Sequence, residues 1–506
     1  MKLSALLAAA PIDGARPAVD PLLTGLTDDS RHVTPGGLFV AVPGVQHDGH
    51  AFVAAACQAG AVAIVIQRPV DAPPHVLVLT AEDSAAWLAR ATGVWHGLDE
   101  IQRSGGLPAI GVTGTNGKTT STFIIQSMLA SAGRPAALIG TVYYDLLGRR
   151  ITAPMTTPPA SDLASYLAEA HRHGARAAVM EVSSHSLSQR RVDGIRFNVA
   201  VFTNLSGDHL DYHGNMAAYL AAKKRLFDML DAEGVAVVNA EDAVSAAIVA
   251  DCRGRVMRFS GSGPAELTGR IVSLTAQGAD VEVGYAGRTC RMRTPLLGRH
   301  NVMNALGAVG AGLAMGLGLD QACDGVARVG NVPGRLQRVD ASALGIAVAV
   351  DYAHTDDALQ NVLTAMRPLT PGRLWCVFGC GGDRDRTKRP RMARVAEQFA
   401  DRIIVTSDNP RGERPEAIIE EIVNGFSPAA AGRWTTQQDR ALAILAAVER
   451  AEPGDTVLIA GKGHENYQIV GVERLHFDDV EVAEQAVASR CAVGAATTGG
   501  IETCSR

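Results

Sequence analysis

Residues 109–133 read AIGVTGTNGKTTSTFIIQSMLASAG. An apolar run, a glycine-rich turn and then apolar residues at 123, 124, 125, 128 and 129 spell a buried strand, a tight loop and a helix. Phosphate oxygens need several N–H donors at close range, and glycine lets the backbone approach them. Lys118 is placed to reach the terminal phosphates. The Thr119 hydroxyl is placed to ligate Mg²⁺ at the helix start, where the dipole also favours anions. Gly114, Thr115, Asn116, Gly117, Lys118, Thr119 and Thr120 are therefore assigned to ATP. The loop departs from the general phosphate loop, with Val112 at the position of its first glycine and glycines at 111 and 114 instead. Kinases, motors and ligases share such a loop, so it identifies the nucleotide and leaves the reaction open.

The strand–helix alternation continues outward from this point. Ala177–Val182 and Val199–Asn204 read as further buried strands of one parallel sheet with helices on both faces. Upstream, Leu38–Val42 and Ala61–Gln67 suggest strands of a small α/β unit, closed by the polar connection Ile101–Pro108. A second boundary falls near Asn331–Gly334. Beyond it Ala347–Asp351, Leu374–Gly379, Arg402–Thr406 and Thr456–Ala460 alternate with helical segments in a Rossmann-like manner. The fold class is thus α/β in three domains: a small N-terminal one at 1–105, a central phosphate-loop ATPase-like domain at 106–331 and a C-terminal Rossmann-like domain at 332–490. A Gly/Ala/Thr-rich tail, read as flexible, follows at 491–506. A chain of 506 residues suits that number of domains.

Composition narrows the function classes. At 47% hydrophobic and 20% charged the chain is an ordinary globular protein, and a net charge of −5 argues against a nucleic-acid binder. No apolar run reaches the roughly 18–20 residues that span a bilayer, and Ala305–Leu319 reads as a buried helix. Met1–Pro11 imitates a signal peptide, but a protein that uses ATP is expected in the cytoplasm. The 8 cysteines form no C-x-x-C pair, so reduced thiols are expected, with Cys376 and Cys380 in strand and loop packing.

Glu181 ends a predicted strand, at the edge where open α/β sheets bind ligands, and Asp208-His209 follows the next one. Glu181 and His209 are therefore expected to converge on one cation near the γ-phosphate. His209 and His213 are four apart, but Leu210 stands where a zinc peptidase has its glutamate, so Mg²⁺ is preferred for His209, and His213 reads equally as a packed or capping histidine. Lys223-Lys224-Arg225, on charge pattern alone, is a solvated helix face.

The motifs GTNGKTT, MEVSSHSL, TNLSGDHLDYHG, AAKKRLF, GRHNVMNA, VPGRLQRV, VDYAHTDDAL, FGCGGDRDRTKRP, SDNPRGERP and AGKGHENYQ follow one another in the chain, behind DDSRHVTPGGLFVAVPGVQHDGHAF at the front. In these the chain resembles the ATP-dependent Mur ligases of peptidoglycan synthesis, nearest to the branch that adds meso-diaminopimelate to UDP-N-acetylmuramoyl-L-Ala-D-Glu. The resemblance implies an acyl-phosphate mechanism and a monomer. It also implies a carbamylated Lys223 joining Thr119, Glu181 and His209 around Mg²⁺, which reverses the solvated-face reading, with Lys118, Lys223, His209 and Glu181 as the catalytic set. It places Asn301, Asn304, Arg335, Asp351 and His354 at the nucleotide. Asp28, Ser30, Val45, Gln46 and His47 would bind uridine diphosphate on the first domain, and Thr156, Thr157, Ser183, Gln189 and Arg191 the muramoyl dipeptide. Ser183 on its own would be read as a cap for the segment that follows.

Specificity for the added amino acid is read on Asp408-Asn409-Pro410-Arg411. Diaminopimelate carries a second amino-acid head, which lysine lacks a carboxylate to match. Arg411 offers a two-pronged partner for that carboxylate, Arg384 a further one, and Glu465, following Gly461, can match the ammonium. Gly207, His300 and Asp356 depart from the family pattern and put local loop shape and adenine packing in question. Folylpolyglutamate synthetase shares the GTNGK-type loop but lacks the DNPR and front stretches. A phosphate-loop motor would leave the first domain without a task.

Overall fold

The computed structural model describes residues 1–498 other than 16, 18, 45 and 46, with side chains through residue 492. The chain forms two compact units. One comprises Met1–Gly269, Val283–Cys290 and Asn304–Arg328; the other comprises Arg270–Glu282, Arg291–Met303 and the chain from Val329 onward. The first unit contains both the N-terminal and the central sheets anticipated from the sequence.

Strands β1 (Leu26–Thr27), β2 (Leu38–Val40), β3 (Ala63–Ile66) and β4 (Leu77–Thr80) pair in parallel in that order. The segment that imitates a signal peptide is a helix, Leu3–Ala9, that buries Leu3 and Leu6 in this domain's core. The Trp87 indole N–H donates to the carbonyl of Ala10 at 3.0 Å and holds the end of that helix in place.

The central sheet is built from β5 (Ala109–Thr113), β6 (Ala136–Ile139), β7 (Tyr143–Asp145), β8 (Arg150–Thr152), β9 (Ala177–Glu181), β10 (Phe197–Phe202), β11 (Val235–Asn239) and β12 (Arg255–Ser260), in the order β12-β11-β10-β5-β9-β6-β7-β8. It is parallel from β12 to β6, and β7 and β8 add antiparallel. Every residue of β5 and β9 is buried, which is why both read as continuous apolar runs and not as alternation. Beyond β12 comes β13 (Leu267–Thr275), paired through Phe259 with Leu267. The chain passes between the units along β13, β14 (Gly278–Tyr285) and β15 (Arg288–Thr294).

The second unit carries β16 (Gln337–Val339), β17 (Ala347–Asp351), β18 (Leu374–Phe378), β19 (Arg402–Val405), β20 (Trp434–Thr436) and β21 (Thr456–Ala460), ordered β16-β17-β21-β18-β19-β20. All neighbours are parallel except β16 with β17. A hairpin, β22 (Tyr467–Val470) with β23 (Glu473–His476), follows, and the helix Asp479–Thr498 runs across residue 491, where the sequence reading begins a flexible tail. Cys376 and Cys380 are buried, and burial pushes each thiol up to about 12, as suits packed side chains.

One ion pair organises the carboxyl edge of this second sheet. Arg440 and Asp479 are wholly buried and joined by two hydrogen bonds of 2.7 Å, Nε to Oδ1 and Nη2 to Oδ2. Arg440 also donates to the carbonyls of Ala460 (3.0 Å) and Ser407 (3.4 Å), so it spans the ends of β21 and β19. Removing one member of a buried pair strands the other charge and costs about 3–5 kcal/mol. Asp479→Ala is expected to lower the calorimetric unfolding temperature of the second unit markedly. A double replacement, Arg440→Met with Asp479→Leu, should recover part of the loss because it removes both charges together.

Candidate active site

Strands β10, β5 and β9 are neighbours and parallel, so the residues after each meet at one edge. The loop after β5 enters the helix Lys118–Ser131 at Gly117, whose φ is +89°; a Cβ there would lie 2.2 Å from the Asn304 amide oxygen. A Cβ on Gly114 would lie 1.9 Å from the Thr203 hydroxyl. The loop is held by the end of β10. Thr203 Oγ1 donates to the Asn116 carbonyl at 2.6 Å, and the Asn204 amide both accepts from Asn116 N–H (3.0 Å) and donates to its carbonyl (3.1 Å).

Two amines end on this loop. Lys118 Nζ donates to the carbonyls of Gly114 (3.0 Å) and Thr115 (2.8 Å). Lys223, from the helix Met216–Asp228, is buried and donates to the same Gly114 carbonyl at 2.8 Å, with its Nζ 4.4 Å from the Tyr219 ring centroid. Burial, reinforced by the charge of Lys118, pushes the Lys223 amine well below the usual lysine value. Its neighbours behave differently. Lys224 pairs with Asp228 and Asp251 at 2.6 Å each, and Arg225 with Asp193 at 2.9 Å, so only Lys223 turns into the site.

Glu181 is 1% exposed and its carboxylate is fully engaged. Oε2 accepts from the hydroxyls of Thr119 and Thr141, both at 3.1 Å, and Oε1 accepts from Thr141 N–H at 2.8 Å. Thr141 was not singled out in the sequence; it lies directly after Gly140 in the loop that follows β6, the strand next to β9, so its place is a topological fact. His209 has φ of +54° and begins a short helix. Burial lowers its imidazole pKa and Lys118 and Lys223 lower it further, against the pull of Asp208, whose carboxylate is 3.5 Å away. His209 is therefore a neutral imidazole at pH 7 with lone-pair character for a cation. His213 is packed, with Nε2 at 2.9 Å from Ser184 Oγ and its ring beside His185 and Tyr219.

The residues assigned to the dipeptide gather beneath β9. Thr157 Oγ1 donates to the Glu181 carbonyl (2.8 Å) and accepts from Ser183 N–H (3.2 Å); Arg191 reaches the Thr157 carbonyl (3.0 Å) and the Gln189 side chain, and Thr156 meets Thr141 at 3.1 Å. Ser183 Oγ also caps the helix Ser184–Ser188 by accepting from Ser186 N–H, so its capping role is realised. Asp28 is drawn to Arg191 electrostatically, while burial and the nearby Asp162 raise its carboxyl pKa. Ser30 opens a short turn capped by Asp29, and His47 is exposed beside Phe52. Val45 and Gln46 lie outside the described residues.

In the second unit, Asp351 accepts from Leu336 N–H (2.7 Å) and Ala353 N–H (2.9 Å) at the end of β17. Arg335 lies 4.9 Å from the Tyr352 ring centroid, and the His354 ring packs on the same tyrosine at 4.6 Å. Asn301 Nδ2 donates to the Leu297 carbonyl at 2.8 Å. His300, one of the departures, is buried enough to hold its imidazole near 4, and Asp356 sits at the first turn of the helix Asp356–Met366, paired with Arg391 at 2.9 Å. Gly207 faces open space.

The amino-acid residues also meet in this unit. Arg411, φ +52°, spends Nη1 on the Gly382 carbonyl at 2.9 Å, while its Nη2 and Nε take no partner among the described residues. Asn409 Nδ2 donates to Glu465 Oε2 at 2.9 Å. Asp408 is buried against Gly461; burial would raise its carboxyl, but Lys462 and Arg440 bring it below the ordinary carboxylate value. Pro410 is buried and Arg384 is exposed. Lys462, inside the quoted motif but not assigned from sequence, is wholly buried among these groups.

Against known proteins, residues 22–93 match the model of the Mur ligase family, catalytic domain, residues 112–312 the Mur ligase middle domain, and residues 334–463 the Mur ligase, glutamate ligase domain. A UDP-N-acetylmuramoyl-L-alanyl-D-glutamate--2,6-diaminopimelate ligase of Synechococcus elongatus is 44% identical over 97% of this chain and 99% of its own. The enzyme of that name from Parasynechococcus marenigrum is 46% identical over 93% of this chain and 96% of its own. A solved structure of such a ligase superposes with a TM-score of 0.69 at 33% identity, covering 96% of this chain and 99% of that one.

The loop geometry yields a test. Gly117→Ala forces a side chain into the Asn304 amide and into a left-handed backbone, a cost of about 1–2 kcal/mol before any repacking. It should weaken ATP binding roughly tenfold or more in a nucleotide titration while leaving the circular dichroism spectrum unchanged.

Proposed function

The chain belongs to the Mur ligase family, and on that premise we propose how its residues join meso-diaminopimelate to the D-glutamate of UDP-N-acetylmuramoyl-L-alanyl-D-glutamate with ATP. A carboxylate is a poor electrophile. Transfer of the γ-phosphoryl group from ATP to the free glutamate carboxylate makes an acyl phosphate and releases ADP. The amine of diaminopimelate then attacks the acyl carbon, phosphate leaves, and the nitrogen gives up a proton as the amide forms. Bringing two anions together for the first step requires positive charge held in advance.

Lys118 supplies such charge at the loop, with Thr115, Asn116 and Thr120 shaping it. Asn304 stands beside it, and Asn301, Arg335, Asp351 and His354 are assigned to the nucleotide by family resemblance. Mg²⁺ fits the donor set: the Thr119 hydroxyl, the Glu181 carboxylate and a neutral His209 imidazole are groups that would hold it. When bound, the ion adds charge between the phosphate and the substrate carboxylate. Lys223 is assigned as a carbamate. Its neutral amine attacks carbon dioxide, an N–H proton leaves, and the amine becomes a carbamate whose carboxylate would be able to orient a metal. Burial with no ion pair to a carboxylate among the described residues, and with the Gly114 carbonyl as its acceptor, supports that assignment.

Asp28, Ser30, Val45, Gln46 and His47 are proposed to hold uridine diphosphate, and Thr156, Thr157, Ser183, Gln189 and Arg191 the muramoyl dipeptide. The observation that carries the choice of amino acid is Arg411, whose guanidinium is braced by one nitrogen and keeps the rest of its fork for a carboxylate. No helix among the described residues is long and apolar enough to cross a membrane. Action as a monomer in the cytoplasm, on small-molecule substrates and not on nucleic acid, is part of the same proposal.

Lys223→Ala should be nearly inactive and regain activity with added short carboxylates, which replace the anion; rescue by amines instead would make Lys223 a plain cation. Arg411→Ala should lose most of its kcat/KM for diaminopimelate while its low activity with L-lysine changes little. A site that leaves a charged group without its partner in the wrong substrate's complex can discriminate by about 10⁴. If Arg411 only braces the turn, both constants fall in equal proportion.

A further inference from the structure

Lys462 stands directly after β21, between Gly461 and Gly463, with its side chain wholly out of solvent. Its stem passes the Tyr467 ring, with Nζ 5.5 Å from the centroid. Nζ lies 3.1 Å from Asn409 Oδ1, 3.4 Å from Glu465 Oε2 and 3.8 Å from Asp408 Oδ1. A fully buried lysine is retained where paired charge stabilises it. Here the pairing is with two carboxylates and the amide between them.

The amide is oriented by this contact. Asn409 Oδ1 accepts from Lys462 Nζ and from Ile469 N–H (2.9 Å), so Nδ2 must face Glu465 Oε2. Turned the other way, the amide would set its NH₂ group against an ammonium and an N–H donor. Glu465 therefore receives two hydrogen bonds on Oε2, and Oε1 takes none from the described residues.

We propose that Lys462 is a positioning residue for amino-acid selection, holding Glu465 as an ionised and oriented carboxylate that takes the distal ammonium of diaminopimelate on its remaining oxygen. The proposal rests on the reading that Glu465 belongs to the diaminopimelate site. Charge arithmetic supports it. At hydrogen-bond or ion-pair distance, two carboxylates, Asp408 and Glu465, share the single ammonium of Lys462, with Arg440 matched by Asp479 and with Lys388 and His354 acting on Asp408, so Glu465 keeps attraction for an incoming ammonium. The groups facing Glu465 are Lys462, Asp408, Asn409, Arg440, Tyr352 and Tyr467. Burial and Asp408 both raise the Glu465 carboxyl, and Lys462 is the neighbour that lowers it most. Without Lys462 the carboxyl would rise further, and raising the pH would then favour its ionised form.

The test is the KM for meso-diaminopimelate between pH 6.5 and 8.5 in the full-length enzyme and in Lys462→Met, Lys462→Gln, Lys462→Arg and Glu465→Gln. Lys462→Met should raise this KM about tenfold at pH 7, falling toward wild type as pH rises, with kcat within about threefold and the KM for ATP and the UDP substrate unmoved. Lys462→Gln keeps a donor for Asn409 without charge and should show the same pH trend; it carries the test if Lys462→Met fails to fold. Lys462→Arg should restore most of the affinity. Glu465→Gln should raise the KM without any pH trend. A KM in the neutral Lys462 variants that is unchanged, or raised equally at every pH, overturns the proposal while Glu465→Gln still weakens binding. An unchanged KM in Glu465→Gln removes Glu465 from the site and the proposal with it.

Discussion

Two lysine side chains, Lys118 and Lys223, donate to one carbonyl oxygen, that of Gly114. Like charges do not share a buried acceptor unless the surroundings lower one of them or supply anions. Burial and Lys118 together lower the Lys223 amine, and the phosphate loop, the helix start and Glu181 are arranged around that point. The geometry follows from the sheet. Gly114 comes straight after β5, the strand flanked by β10 and β9, so Thr203, Asn204 and Glu181 arrive from its two neighbours at the same edge. A carboxylate held by three donors lies at this edge, with an imidazole and an amine whose pKa values burial lowers.

The second unit repeats the logic with opposite emphasis. Its fixed element is the buried Arg440–Asp479 pair, which reaches the carbonyls that close β19 and β21. The loops that follow those strands carry Asp408–Arg411 and Gly461–Glu465. The pair thereby ties together the strand ends from which these two loops start, and Lys462 with Asn409 knits the loops by hydrogen bonds. Arg411 is anchored by backbone pairing to the β22 strand, through Ile469 and Gly471, so its guanidinium is presented from a rigid turn.

One departure from the family pattern, Asp356, has a local explanation. Asp356 takes a first-turn position where an acidic residue suits the helix dipole, and Thr355 caps that helix through its hydroxyl. Ser183 makes two local contacts at once, capping the helix after β9 with its hydroxyl and donating its N–H to Thr157. The basic run at 223–225 splits by helical rotation: successive residues turn about 100° apart, so Lys223 enters the site while Lys224 and Arg225 find carboxylates elsewhere.

The linear order of residues determined the α/β class and the strand–loop–helix at 109–133. These rest on local periods and on glycine placement, which act over a few residues. It also determined the chemistry available at Arg411, because a guanidinium differs from a turn residue wherever it stands. The tertiary structure alone decided which side chains meet. Thr141 and Glu181 are forty positions apart and Lys462 and Asn409 over fifty, and they touch because β6 lies beside β9 and because β18 alone separates β19 from β21. It alone decided that Lys223 is buried and Lys224 is not, since a run of like charges carries no sign of which member faces the sheet. It also turned an imitation signal peptide into a core helix, because burial of Leu3 and Leu6 depends on a sheet made by residues that come later in the chain. Strand neighbours and burial are properties of long-range pairing, and no local pattern encodes them.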